Sequence, residues 1–408
     1  MSEEEYIEVN IDDDMDDQSS LSDTNEMLDE EDAIDANDTS FFSAQLADSA
    51  LCLAVSPTDP LTFCVGCLDN SARIMTVDAS GAPSESIELA EHSDSVTSVS
   101  FSCDGSFVAT GSYDSSIKLW SVTDGKVFST VEETGSEIEV VIMHPTEALM
   151  VAGCADGSVW VWDSSNPQEP ILQFMLRGHA HGAAIRTLNF LGKSNKGLLS
   201  TSEEGVAIVW NLSTGQIVHK TKSFNEPILC ASVHPTKPLY VVGIENGSTY
   251  VVHAETGKVL HKMTARGSIE CVAWSPCGML LAVATLEGIL EVWHVDQLGG
   301  YPRHKIDLAQ NSGEDFSAEE SGFTKVVWHP DQTMRCVVVV GKSGLVQMYN
   351  GMTGELLVDL TGHRADILDV AMAKFKDPQG RDVARVISAC DEGFVKMFTI
   401  SEDSNDSI

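Results

Sequence analysis

His92, Ser112 and Asp114 are the residues whose types first suggest chemistry, because a histidine, a hydroxyl and a carboxylate can form an acyl-transfer triad. A nucleophilic serine needs a strained turn that exposes its oxygen, and the sequence contains no G-x-S-x-G motif to supply one. The same residue types also recur along the chain as parts of a repeat. We therefore interpret the three residues as structural and expect no enzymatic activity.

Metal and phosphate sites are disfavoured as well. Cys64 and Cys67 form an isolated C-x-x-C without a second ligand pair at zinc spacing, and His179 and His181 are read as one structural and one loop histidine. Neither a P-loop motif nor G-x-G-x-x-G occurs. Three further histidines each precede a proline and mark a repeated turn: His144, His234 and His329. We expect neither a metal nor a cofactor.

Charge limits the partners. The 408 residues carry a formal net charge of −38, and 43% of them are hydrophobic, which suffices for a large folded core. Residues 1–40 hold 17 acidic residues and no Lys or Arg, so the other 368 residues carry −21. Such a field repels nucleic acids and anionic membranes and attracts basic proteins. We expect a basic protein client, no direct nucleic-acid binding and no membrane insertion.

The termini differ from the rest of the chain. Residues 1–38 and 401–408 are acidic and poor in large apolar residues, a composition typical of disorder. The N-terminus lacks the apolar region of a secretory signal, and the ten cysteines are scattered through apolar segments. These features favour a cytoplasmic protein, with the nucleus as the alternative compartment.

Residues 39–400 contain eight copies of one pattern at intervals of about 45 residues. Each copy has an apolar run such as VTSVSFS (96–102), then small residues, then an acidic or polar residue six positions before a large apolar one. The large apolar markers are Met75, Trp120, Trp162, Trp210, Val252, Trp293, Tyr349 and Phe398. Short apolar runs bounded by Gly, Asn, Asp and Pro predict strands throughout these copies.

This pattern resembles the WD-repeat family, and Gly178-His179 and Gly362-His363 keep that family's Gly-His signature. The resemblance implies an all-β, eight-bladed WD-repeat β-propeller with a disordered acidic N-terminal tail. In blade two it assigns a buried hydrogen-bond tetrad to His92, Ser112, Asp114 and Trp120. Because a propeller must hide its end strands, we expect residues 39–47 to supply the outer strand of the last blade.

The start of each inner strand and the turn after the second strand are expected at one end of the ring. Seven acidic residues fall at these positions, beside an aromatic and several aliphatic residues. Carboxylates next to exposed aliphatics suit a peptide that carries Lys or Arg beside apolar anchors. The predicted basic-peptide-binding face comprises Glu137, Glu139, Glu203, Glu245, Glu270, Asp366, Asp391, Tyr113, Leu229, Leu286 and Leu368. The alternative is that these acids only keep an acidic protein soluble.

The overall layout, with an acidic N-terminus and a last blade of GHRADILDVAMA…VISACDEGFVKMF, is similar to the angio-associated migratory cell protein family. Fungal members of that family are dedicated chaperones of a large-subunit ribosomal protein. The resemblance implies capture of a basic N-terminal tail by a monomeric propeller during large-subunit assembly. A WD-repeat scaffold in signalling or cell migration and a histone-type chaperone remain the alternatives.

Overall fold

A computed structural model of the protein describes residues 38–78, 80–192, 196–308, 322–376 and 380–401. These residues belong to one compact unit, Asn37–Ile408. They form eight four-stranded antiparallel sheets, so the predicted eight-bladed all-β propeller is confirmed. The predicted acidic tails lie outside the described residues except at their inner ends. There Asp38 forms an ion pair and Ser401 ends a strand.

Each blade runs from an inner to an outer strand, and the blades are numbered in chain order. The first strand of the chain, β1 (Phe42–Gln45), belongs to blade eight. Blades one to four contain β2 (Ala50–Val55), β3 (Thr62–Cys67), β4 (Ala72–Val77), β5 (Pro83–Leu89); β6 (Val96–Phe101), β7 (Phe107–Ser112), β8 (Ile117–Ser121), β9 (Val127–Val131); β10 (Ile138–Met143), β11 (Leu149–Cys154), β12 (Ser158–Asp163), β13 (Ile171–Arg177); and β14 (Ile185–Leu191), β15 (Gly197–Ser202), β16 (Ala207–Asn211), β17 (Gln216–Lys220).

The second half of the ring has the same order. Blades five to eight contain β18 (Ile228–Val233), β19 (Leu239–Ile244), β20 (Ser248–His253), β21 (Val259–Thr264); β22 (Ile269–Trp274), β23 (Leu280–Thr285), β24 (Ile289–His294), β25 (His304–Asp307); β26 (Phe323–Trp328), β27 (Cys336–Gly341), β28 (Val346–Asn350), β29 (Leu356–Leu360); and β30 (Ile367–Lys376), β31 (Asp382–Cys390), β32 (Phe394–Ser401). Short 3-10 helices span Val295–Gln297 and Lys342–Gly344.

Burial explains why the strands take these places in a blade. The second strand is covered on both faces and is a continuous apolar run, as in CVVVVG of β27. The inner strand buries its first, fourth and sixth residues, as in β6, and the outer strands are largely exposed. The core therefore lies between blades: Ile117 and Leu119 of blade two pack with Ile138, Val141 and Trp162 of blade three.

The ring closes through its inner strands and through β1. Each inner strand contacts the next, and β30 of blade eight contacts β2 of blade one. β1 pairs with β32, with Phe42 opposite Met397, so the early segment supplies the outer strand of the last blade. This strand lies within residues 39–47, the segment expected to close the ring.

Side chains around β1 hold the closing strand in place. The Phe42 ring meets the Phe63 ring of blade one edge-on at a centroid distance of 6.2 Å. The guanidinium of Arg385 lies 4.2 Å from the centre of the Phe41 ring, a cation–π contact. Lys396 of β32 forms an ion pair with Asp38. Apolar packing and charge therefore act together where the ring is joined.

In blade two a buried network joins the loop before β6 to β7 and β8. Nδ1 of His92 lies 2.9 Å from Oδ2 of Asp114, and Nε2 of His92 lies 2.7 Å from the Thr110 hydroxyl. Trp120 donates its indole N–H to the same hydroxyl at 2.8 Å. Three of the four predicted tetrad residues therefore take part in one network.

The prediction that Ser112 is the hydroxyl member of this tetrad is wrong. Its Oγ donates to the Asp94 carbonyl at 2.8 Å instead. Thr110 and Ser112 lie on the same side of β7, but Trp120 pairs with Val108, which places Thr110 nearer to the indole. Thr110, and not Ser112, is therefore the hydroxyl that the Trp120 indole N–H reaches.

Blade four contains the same network with a glutamate in place of the aspartate. His179 and Trp210 both contact the Ser200 hydroxyl at 2.8 Å, and Nδ1 of His179 lies 3.3 Å from Glu204. Blade eight keeps the contact between His363 and Ser388, at 2.7 Å. In the other five blades the hydroxyl position holds an apolar residue: Val65, Ala152, Val242, Val283 or Val339. Those blades rely on packing at this point.

Truncation of Phe42 tests the closing strand. Phe42 is 7% exposed, so we expect Phe42→Ala to lower the free energy of unfolding by about 3 kcal/mol through the cavity it leaves. The matched control is Ser43→Ala, at an exposed position of the same strand, which should change it by less than about 0.5 kcal/mol. Urea denaturation measures both, and equal effects of the two variants would contradict the role of β1.

The network histidines predict a loss of stability in mild acid. Burial lowers the pKa of His179 and His363 from 6.5 to about 4. At neutral pH these histidines are uncharged in the folded and unfolded chains. Between pH 6.5 and 4 the unfolded chain binds a proton at each histidine and the folded chain does not. The free energy of unfolding therefore decreases as the pH is lowered, by about 2 kcal/mol for each histidine at pH 5.

Thermal unfolding between about pH 7 and pH 5 measures this dependence. The double variant His179→Gln/His363→Gln, which cannot titrate there, should show a shallower fall in melting temperature. An unchanged slope in the double variant would rule out these histidines as the source.

Candidate functional site

One end of every blade carries the same backbone hydrogen bond. The residue after the second strand donates its N–H to the carbonyl of the residue before the inner strand. In blades one to eight these pairs, at 2.8–3.2 Å, are Leu68 to Ser49, Tyr113 to Ser95, Ala155 to Glu137, Glu203 to Ala184, Glu245 to Pro227, Leu286 to Ser268, Lys342 to Gly322 and Asp391 to Asp366. Blades with weak sequence motifs therefore share the register of the others.

Each inner strand is also interrupted by a β-bulge at its second residue. A bulge leaves the extra residue outside the ladder and turns its side chain in a new direction. The eight bulge residues are Leu51, Thr97, Glu139, Arg186, Leu229, Glu270, Thr324 and Leu368. They lie beside the hydrogen-bonded pairs above, and we call the surface formed by these 24 residues the bulge face.

The residues predicted to bind a basic peptide occupy the bulge face. Exposed there are Tyr113, Glu137, Glu203, Glu245, Leu286 and Asp391. Half-buried are Glu139, Leu229, Glu270, Asp366 and Leu368. Seven of the 24 positions hold carboxylates, against Arg186 and Lys342 as the cations. The face is therefore acidic, with aliphatic side chains between the carboxylates.

The sector formed by blades two to four concentrates charge around one aromatic ring. Arg186 pairs with Glu203 at 2.7 Å. Burial raises the pKa of Glu139, and the nearby charges of Glu203 and Glu137 add to the rise while Arg186 opposes it. Burial and the charge of Glu139 raise the pKa of Tyr113. Three carboxylates thus surround one cation, and an aromatic face is exposed beside them, an arrangement that can accept an ammonium or guanidinium group.

A second charged pair lies just inside the ring and was missed by the sequence analysis. Nζ of Lys325 is 3.5 Å from Asp369, and Oδ2 of Asp369 accepts the Leu53 N–H at 2.9 Å. The charge of Asp369 raises the pKa of Lys325 well above its usual value. The sequence does contain a signal for this pair, because Lys325 and Asp369 are each the third residue of an inner strand. In the other six blades that position holds an uncharged residue: Cys52, Ser98, Val140, Thr187, Cys230 or Cys271.

The histidines before proline are structural in this fold. Nδ1 of His144 accepts the N–H of Glu147 at 2.8 Å, and Nδ1 of His234 accepts that of Lys237 at 3.0 Å. His329 does the same for the Asp331 N–H at 3.1 Å. These rings accept backbone N–H groups in the turns that follow the inner strands of blades three, five and seven.

The candidate metal ligands are not assembled into a site. Burial raises the pKa of the Cys64 thiol and raises that of Cys67 to about 12, so both are held as neutral thiols. His179 belongs to the network of blade four, and His181 lies exposed in the adjoining loop. Among the described residues no cluster of His, Cys, Asp or Glu is arranged to hold a metal ion. In the same ranges no helix is long and apolar enough to cross a membrane.

Comparison with known families agrees with the blade structure. The family described as "WD domain, G-beta repeat" matches residues 84–121, 125–163 and 257–294. Each range begins in or just before the outer strand of one blade and continues through the first three strands of the next, which are blades two, three and six. The remaining blades repeat this strand order and register. The chain is therefore an eight-bladed β-propeller that contains WD repeats.

Individual proteins are similar to this chain, in sequence or in structure, along most of its length. The angio-associated migratory cell protein of Homo sapiens is 26% identical over 333 residues, which cover 77% of this chain and 69% of the relative. The crystal structure of Saccharomyces cerevisiae Sqt1 is 24% identical, with a TM-score of 0.77 over 90% of this chain and 100% of that one. Chaetomium thermophilum Sqt1, bound to the N-terminus of the ribosomal protein L10, is 21% identical, with a TM-score of 0.73 over 89% and 100%. At these identities the structural likeness shows the fold.

Proposed function

We propose that this protein is a non-enzymatic chaperone that captures the basic N-terminal tail of a large-subunit ribosomal protein on its bulge face. The observation that carries the proposal is the joint placement of seven carboxylates, Tyr113 and three leucines on one end of the ring. We infer that the protein acts as a monomer in the cytoplasm or nucleus, without a metal or cofactor.

The chemistry of the face suits such a client. A free ribosomal protein is strongly cationic and binds RNA without regard to sequence. Carboxylates shield its charge, and Leu229, Leu286 and Leu368 offer apolar contacts that a purely electrostatic surface lacks. Ribosomal RNA has a denser negative charge than this face, so it can displace the chaperone during assembly.

The similar proteins support the same client by analogy. Chaetomium thermophilum Sqt1 has this fold and binds the N-terminus of the ribosomal protein L10. The angio-associated migratory cell protein has a slightly higher identity, 26%, over a smaller share of this chain, 77%, and its name concerns cell migration rather than a biochemical act. A basic ribosomal tail is the partner that fits both the structural similarity to Sqt1 and the negative charge of the bulge face.

Charge reversal tests the face directly. The triple variant Glu203→Lys/Glu245→Lys/Glu270→Lys should weaken binding of a lysine- and arginine-rich peptide by about 30-fold or more, because several ion pairs of ~0.2–1 kcal/mol become repulsions. Glu203→Lys also releases Arg186 from its ion pair. Fluorescence anisotropy measures the affinity, and the melting temperature should be almost unchanged.

The matched control reverses three acids at the opposite end of the ring, Glu147, Glu169 and Glu255, which are exposed in turns before the second or outer strands. It makes the same change in net charge and should leave peptide affinity within about twofold. If the control weakens binding as much as the first triple variant, the long-range charge of the protein and not the bulge face binds the peptide.

The client is identified by affinity purification in the presence of ribonuclease, with the first triple variant as the reference. We expect one large-subunit ribosomal protein to be enriched by the unmodified protein and lost with the variant. Enrichment of histones would instead support a histone-type chaperone. Enrichment of kinases or receptors would support a signalling scaffold.

A further inference from the structure

The outer strands of blades three, four and five expose aliphatic side chains that the proposed function does not use. Ile171 is 64% exposed, and the others are 38–48% exposed. Single exposed aliphatics are ordinary, but a group of them on adjoining elements marks an interaction surface. The residues concerned are Ile171, Leu172, Met175, Ile217, Val218, Val259 and Leu260.

These three strands form one continuous surface, because each packs against the next blade. Phe174 lies over Gly215, where a Cβ atom would be 2.6 Å from its ring. His219 lies over Gly257 with no room for a side chain between them. Both glycines also have positive φ, so the turns are fixed in shape. We call residues 171–177, 216–220 and 259–264 together the outer band.

The outer band has a charge opposite to that of the whole protein. It contains no Asp or Glu in a chain that has 62 of them, and it exposes Arg177, Lys220 and Lys262. Among the residues that the structure describes, no carboxylate lies within ion-pair distance of these three cations. Lys262 lies 5.4 Å from the centre of the Tyr250 ring, and Lys220 donates to the Gly178 carbonyl. The band therefore offers positive charge beside apolar side chains.

The strands of the band also offer free backbone. β13, β17 and β21 each pair on one side only, so the N–H and C=O groups of their outer edges are available to another strand. β17 lies between the other two, and four of its five residues are exposed while His219 is half-buried. An extended peptide added to this edge would place alternate side chains against the aliphatics on either side.

We propose that the outer band docks an acidic, aliphatic segment of a partner protein, which adds as a fifth strand along β17. An RNA or an anionic membrane is a large polyanion and meets the field of the whole chain, whose net charge is −38. A short peptide lies within about one Debye length of the band, ~8–10 Å, and meets mainly its local cations. Charge complementarity therefore favours the peptide.

The probe for this site is a fluorescein-labelled peptide of about ten residues that alternates glutamate with valine or leucine, measured by fluorescence anisotropy with the full chain. We expect micromolar affinity that falls with added salt. The variants Arg177→Glu/Lys220→Glu/Lys262→Glu and Ile217→Ser/Val218→Ser should each weaken binding about tenfold or more. Hydrogen exchange of the β17 amides should slow when the peptide binds.

The matched control is Lys126→Glu/Lys196→Glu/Lys237→Glu, which changes the net charge equally at exposed positions outside the band and should leave affinity unchanged. Equal loss in this control would overturn the proposal. So would band-dependent binding of phosphatidylserine vesicles or of poly(U) RNA, or a band-dependent dimer in sedimentation, because each assigns another occupant. Binding of the basic peptide to the bulge face should survive the band variants, so the two proposals fail separately.

Discussion

The close approach of neighbouring inner strands is the constraint on which the rest of the structure depends. In four blades the second strand has a glycine where the next inner strand begins: Gly66, Gly111, Gly153 and Gly243. A Cβ atom on Gly111 would lie 2.6 Å from a methyl carbon of Ile138, so only hydrogen fits there. Threonine hydroxyls strengthen the same joints, since Thr97 donates to the Ile138 carbonyl at 2.6 Å. The ring is thus held by a series of short contacts between neighbouring inner strands.

This constraint also prepares the bulge face. The first residue of every inner strand is fully buried against its neighbours, and the bulge residue follows it directly. Glu139 and Glu270 are therefore attached to backbone that cannot move without opening the joint between two blades. A charged surface presented on such a backbone loses little conformational entropy when a peptide binds, which favours affinity. The same rigid backbone holds the carboxylates of the bulge face in place against their mutual repulsion.

The fold could be predicted from the sequence because each repeat shows the periodicity of strands, which depends only on residues close together in the chain. It predicted the positions of the bulge-face residues for the same reason, since each lies at a fixed offset from a buried residue. It failed at Ser112 because alternation cannot distinguish two residues on the same side of β7, and only the pairing with β8 selects Thr110. Lys325 and Asp369 are 44 positions apart, so their contact follows from the closed ring and from no local motif.

The sequence analysis missed the outer band because its signal is the lack of Asp and Glu in the outer strands of three different blades. Comparing equivalent positions one repeat at a time does not detect such a signal. Its cations and the carboxylates of the bulge face lie on different surfaces, at the outer rim and at one end of the ring. Since screening at physiological salt limits charge interactions between exposed groups to about 8–10 Å, the two surfaces act largely independently. A strongly acidic propeller can therefore hold a cationic guest at one end and an anionic segment at its rim, and its net charge decides which large molecules it repels rather than which short peptides it binds.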